Sequence, residues 1–186
     1  MRSDDKATVR SIMGWWHDLQ PDPVKKQAGD RAALAALRRC GSVVDALFEP
    51  QVQKLVHRCG ARGDTELARL ALVAAVCAHV RADQPGIRVA RQVGPADLKD
   101  DATALCKPLR FRRLMDAATF DECLRAFRRL VALAGGGVNV ADLAEALMMW
   151  PREGAYDDSV GDRVRRDWVY HYWNAGSVDQ GKQNNS

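Results

Sequence analysis

Apolar residues recur at three- and four-residue spacing along most of the 186-residue chain. That is the period of an α-helix buried on one side. Val9, Ile12, Met13, Trp16 and Leu19 make the first stripe, with Ser3 or Asp4 as its cap and Trp15 at its edge. The two prolines of QPDP, residues 20–23, end it, because proline has no N–H for an interior helix bond. Asp30 caps RAALAALRRC, and Ser42 and Pro50 mark two further starts. Gly60 closes EPQVQKLVHRCG as a left-handed C-cap. Asp64 caps the most apolar helix, expected over about 65–82 and apolar nearly all round, as at the buried centre of a bundle.

Residues 83–106 lose this period, and QPG, VGP and DLKDD are turn signals. IRVARQV alternates weakly, and we do not assign it as a strand. The helical pattern restarts at Lys107–Pro108. Thr119 and Glu122 have the spacing of a capping box. LAGGGV stops that helix near Ala134. Asn139 caps the next, with Val138 and Leu143 spaced as a hydrophobic staple, and Trp150–Pro151 closes it. A last helix covers about 160–173. The pattern therefore predicts an all-α protein of two small helical-bundle domains, 1–82 and 107–174, joined by an irregular linker at 83–106. The polar tail, 175–186, is expected to be disordered.

Composition changes this picture little. The chain is 47% hydrophobic and 28% charged with a formal net charge of +4, a globular balance. The five cysteines are odd in number, widely spaced and without a CxxC, which argues against zinc ribbons and redox motifs and for a reducing, cytoplasmic setting. The opening MRSDDKATVR is too charged for a leader. The longest apolar run, LALVAAVCA, is far short of the roughly 20 residues that span a bilayer, so no membrane association is expected. Four scattered histidines make no ligand pair, and HExxH, Walker A and GxGxxG are all missing. No catalytic residue, metal or cofactor is expected, and the chain does not read as an enzyme.

What remains is the placement of the arginines, which are 21 of the 28 basic residues. LRFRRLMDAATFDECLRAFRRL, residues 109–130, holds six of them among 22 positions. In 109–116, Arg110, Arg112 and Arg113 fall opposite Phe111, Leu114 and Met115. In 120–134, Arg125, Arg128 and Arg129 fall opposite a wide apolar face. Asp121 and Glu122 stand one turn before Arg125 and can pair with it; Asp116 is in reach of Arg112 and Arg113. Arg110, Arg128 and Arg129 have no carboxylate three or four residues away. The last helix repeats the design, with Arg163, Arg166 and Tyr170 opposite a Val160, Val164, Trp168 and Tyr172 ladder. In the first half, Lys25 and Lys26 flank a turn, and Arg38 and Arg39 end a helix. One such face is ordinarily a solvated surface. Three of them, short of local acid partners, point to a phosphate backbone as ligand.

The ordered set GWWHDL, GDRAALAALRRC, RFRRLM, LRAFRRLVAL, VNVADLAEALMMW and RVRRDWVYHYW resembles the small subunit, CasB, of the type I-E CRISPR surveillance complex Cascade. It covers roughly 9–82 and 107–173. The resemblance implies an all-helical, two-domain, non-catalytic protein of antiviral defence. It implies a head-to-tail pair with a second copy of itself, along a backbone that carries crRNA, next to the large subunit. It also implies non-sequence-specific RNA and DNA binding that steadies the crRNA–target DNA heteroduplex and the displaced strand of the R-loop, since base pairing does the sequence reading. Arg110, Arg113, Arg128 and Arg129 are then the first contacts, with Arg38 and Arg39 next.

Two other readings stand beside it. One is a protein–protein adaptor whose arginines meet acidic protein surfaces. The other, a helix-turn-helix regulator, needs polar base-reading residues at a recognition-helix start. Phe120 and Val140, the available starts, are followed by apolar and acidic residues.

Overall fold

The computed structural model describes residues 3–22, 24, 26, 28–153 and 158–173. The chain is mainly helical, as the period predicts. The first half holds α1 (Ser3–Leu19), α2 (Arg31–Arg39), α3 (Val43–Leu47), α4 (Pro50–Cys59) and α5 (Asp64–Cys77). After these come β1 (Ala82–Asp83), α6 (Val89–Val93) and a single 3-10 turn, Asp101–Thr103. The second half holds α7 (Pro108–Asp116), α8 (Phe120–Leu133), β2 (Gly137–Val138), α9 (Val140–Met149) and α10 (Asp158–Trp173). Lys25 and the expected disordered tail, 175–186, lie outside the described residues.

Four N-caps are where the sequence placed them, whereas the side chains of Ser3 and Asp4, expected to cap α1, lie outside the described residues. Asp30 accepts from the Ala33 N–H at 2.9 Å. Thr119 and Glu122 form a full capping box, as do Ser42 and Asp45. Asn139 accepts from Asp142 N–H at 3.0 Å. Gly60 sits at φ 66°, the left-handed region that a side chain disfavours. One cap differs: Asp64 is the first residue of α5, and Gly63 stands at the cap position with no side-chain bond. That helix also ends at Cys77 and not near residue 82, where the chain enters β1.

α5 is the centre. Leu70 through Ala78 are all buried, and the helix packs against α2, α3, α4, α8 and α9. The Trp16 indole N–H donates to Cys77 O at 3.1 Å, tying α1 to the end of α5. Trp15, at the edge of the α1 stripe, is also buried and donates to Gln51 O at 3.0 Å. Its place is in the core, because both its ring and its N–H find partners on the inside. At the other end, Phe127, Trp150 and Trp168 meet edge to face at 4.9–5.5 Å.

Residues 83–106 have more structure than their sequence suggests. β1 pairs in parallel with β2, Ala82 opposite Gly137 and Asp83 opposite Val138. Gly135 and Gly136, at φ 68° and 82°, make the turn that brings β2 there. IRVARQV holds α6, whose Val89, Ala90 and Val93 are buried. A Cβ on Gly94 would lie 2.1 Å from Tyr172 O, so only glycine admits this approach of the segment to α10. The buried apolar residues of both halves belong to one continuous cluster.

Candidate nucleic-acid interface

α7 and α8, joined by the turn Ala117–Thr119, enclose a groove of about 800 Å³. α7 contributes Arg110 and Arg113, and α8 contributes Arg125 and Arg129. The spacings of three and four residues put each pair on one helix face. Leu114, Ala117, Ala126, Leu130 and Leu133 line it between them. Four of the twelve basic side chains expected from sequence to contact nucleic acid are thereby brought to one concave surface.

The local carboxylates leave these cations largely uncompensated. Asp121 accepts from the Val43 N–H at 2.9 Å and so tethers the start of α3 to α8. Glu122 accepts from Ala118 N–H and Thr119 N–H, each at 3.0 Å. These backbone N–H bonds, first that of Thr119 and then that of Ala118, hold the Glu122 carboxyl below its usual range; Arg125 adds a weaker pull. The Arg125 pairing expected at i−3 and i−4 is thus reduced to an electrostatic neighbour, because both acids serve backbone N–H groups. Asp116 makes no ion pair with Arg112 or Arg113 among the described residues. The groove therefore carries four cations against two carboxylates, and both carboxylates flank the turn.

Arg128 does something else. Its guanidinium leaves α8 for the interior, donating to Cys40 O at 2.6 Å, Leu37 O at 3.0 Å and Ala75 O at 3.4 Å. It caps the C-terminal carbonyls of α2 and pins them to α5. Arg38 makes a related contact, donating to Ala78 O at 2.6 Å while remaining exposed. Between them, His79 is held neutral, its pKa lowered to about 4 by burial first and then by Arg128 and Arg38. The sequence missed Arg165, which is 7% exposed. It donates to Met115 O, Ala117 O and Trp150 O at 2.8–2.9 Å, with its charge 4.9 Å from the Trp150 ring centre. The available signal was its position: residues 165, 168 and 172 share one helical face with the Trp168 and Tyr172 ladder.

The remaining predicted residues are exposed but apart from the groove lining: Arg112 on α7, Arg39 at the end of α2, Arg163 and Arg166 on α10, and Lys26 in the turn before α2. Burial raises the thiol pKa of all five cysteines, to about 12 for Cys77 and Cys123, which disfavours the reactive thiolate; four are buried and Cys59 is half-buried. No cluster of three or more metal-ligating side chains occurs among the described residues. No helix there is long and apolar enough to cross a membrane.

The profile of the family described as CRISPR-associated protein Cse2 matches residues 33–173. The chain belongs to the Cse2 family. Solved structures agree with this membership. A Cse2-family CRISPR-associated protein from Thermus thermophilus superimposes with a TM-score of 0.61 at 25% identity, over 89% of this chain and 97% of that one. A structure described as CasB, from the same species, gives 0.60 at 24% identity, with the same coverage. At 17% identity, CasB from Thermobifida fusca shares the fold at 0.60, over 91% of this chain and 97% of its own. A comparison with curated proteins returns no match. The Cse2 match covers α7, α8 and nearly all of α2, so it contains the groove and the Arg128 contact alike.

Proposed function

We propose that this Cse2-family chain is a non-catalytic small subunit of a type I-E CRISPR surveillance complex, in the cytoplasm. It binds nucleic acid without sequence preference and steadies the crRNA–target DNA heteroduplex and the displaced strand of the R-loop. The observation that carries this reading is the meeting of Arg110, Arg113, Arg125 and Arg129 in one groove, with the nearby acids committed to backbone or left at its turn. Guanidinium groups suit phosphate oxygens, and phosphate contacts fix position without reading bases. Among the described residues no aromatic ring lines the groove, so backbone contact is the mode it offers. Arg112 and Arg39, exposed outside the groove, are proposed as further phosphate contacts. Arg128 is left out of the proposed contacts, since its donors already serve three carbonyls.

The proposed partners are crRNA, target DNA, the backbone and large subunits, and a second copy of the chain. Within this reading, 1–82 and 107–174 are proposed as the folding units and 83–106 as the segment that joins them. The test is twofold. The purified protein should bind DNA of unrelated sequences with equal, salt-sensitive affinity. It should also co-elute with crRNA-loaded partner subunits. Co-elution with no DNA binding at any salt concentration would favour the adaptor reading instead.

A further inference from the structure

Outside the groove, α10 presents a second surface of different character. At about 100° per residue, Arg163, Arg166, Tyr170 and Trp173 fall within roughly 80° of arc. All four are exposed, Tyr170 by 64% and Trp173 by 36%. Trp168 and Tyr172 point the opposite way, into the core. Asp162 and Asp167 flank the stripe, but each is committed. Asp162 takes Arg152 at 2.7 Å, while Asp167 takes Arg88 at 3.0 Å and faces His171 at 3.5 Å. Arg163 and Arg166 have no ion pair among the described residues.

Both rings meet a neighbouring ring, and Trp173 is braced from the core side. Trp173 meets Tyr172 edge-on at 5.1 Å. Tyr172 in turn stacks on Phe111 at 3.9 Å and donates its hydroxyl to Cys106 O at 2.6 Å. Tyr170 meets His171 edge-on at 5.3 Å. A ring braced as Trp173 is loses little freedom when a flat group settles on it. Two cations followed by two aromatic faces along one line match the chemistry of unpaired nucleotides, whose phosphates take the charge while their bases stack.

We infer that the outer stripe of α10 is a stacking face for unpaired bases, with Arg163 and Arg166 on the phosphates and Tyr170 and Trp173 on the bases. This rests on the reading of the chain as a nucleic-acid-binding subunit. It adds a site that prefers single strands, where the α7–α8 groove takes backbone of any kind.

The test compares two labelled strands of equal length, an oligothymidylate and an abasic strand that keeps every sugar and phosphate. Binding of the intact protein is followed by fluorescence anisotropy. Wild type should bind the thymidylate at least about tenfold more tightly, given the worth of a stacked base. Tyr170→Leu with Trp173→Leu should bring that ratio to about one and leave the abasic affinity unchanged. Tyr170→Phe with Trp173→Phe, which keeps both rings, should preserve the ratio and controls for folding. Equal wild-type binding of both strands overturns the inference and leaves the groove reading standing. Binding of neither strand overturns both. A Leu variant that keeps the ratio but no longer co-purifies with partner subunits makes the stripe a protein contact and also overturns it.

Discussion

The Arg128 guanidinium on α8 donates to Cys40 O, just past the end of α2, at 2.6 Å, with Leu37 O receiving a second bond from the same group at 3.0 Å. Its neighbour Arg129 lines the α7–α8 groove. Two adjacent arginines therefore do opposite work, one fastening helices and one offering charge. Arg128→Ala should cost about 2 kcal/mol, since bonds to a charged donor are lost and helix-end carbonyls lose their partner. Arg129→Ala should stay within about 0.5 kcal/mol. Denaturant midpoints of the two single variants check the contrast.

Arg165 should be the more sensitive staple. It is nearly fully buried and joins the end of α7 to Trp150 and α10. Arg165→Ala should lower stability by about 3 kcal/mol. Arg165→Lys should recover only part of that, because an ammonium cannot present the guanidinium's planar fork to three carbonyls. Thermal melts of both variants decide it.

The start of α8 can be weakened without touching the groove cations. Thr119 accepts from Glu122 N–H at 3.2 Å. Thr119→Ala should cost about 1 kcal/mol. The depressed Glu122 pKa adds a pH signature. Its contribution is present above the ordinary carboxylate range and is lost as pH falls through the lowered folded value. Glu122→Gln should therefore destabilise at pH 7 and matter less at pH 3, which a melting-temperature series would read.

His79 sets a second pH dependence. Its folded pKa is lowered to about 4 from an ordinary 6.5. Between those values the unfolded chain binds the proton and the folded chain does not, so stability falls as pH drops from 6.5 towards 4. A His79→Gln variant should lose less stability over that window than wild type. Urea midpoints at pH 7 and pH 4.5 measure the difference.

Local chemistry made most of the fold legible. A cap needs only residues a turn apart, so Asp30, Ser42, Thr119 and Asn139 announce their helices, and α5 declares itself central by being apolar all round. β1 and β2 escaped because two residues carry no period and their pairing joins positions 55 apart. The groove was half legible: the basic faces of α7 and α8 were visible separately, whereas their meeting is tertiary. Arg128 passes for a surface residue when it is grouped with Arg125 and Arg129 opposite the apolar face, with no acid near it in sequence. Yet Leu124 and Val131, at i−4 and i+3, place it at the border of the apolar face, while Arg129 lies a further 100° round. An arginine at that border is a candidate for capping a neighbouring helix.

The central claim is that Arg110, Arg113, Arg125 and Arg129 hold nucleic-acid phosphates together. The most direct measurement is the affinity of the intact protein for single-stranded DNA across a series of salt concentrations, wild type against the variant with all four replaced by alanine. Each lost phosphate contact should flatten the slope of log K against log salt by about 0.7. The slope should therefore become clearly shallower, affinity should fall equally for unrelated sequences, and the melting temperature should hold. An unchanged slope at an unchanged melting temperature would contradict the account and make the groove a solvated or protein-facing surface.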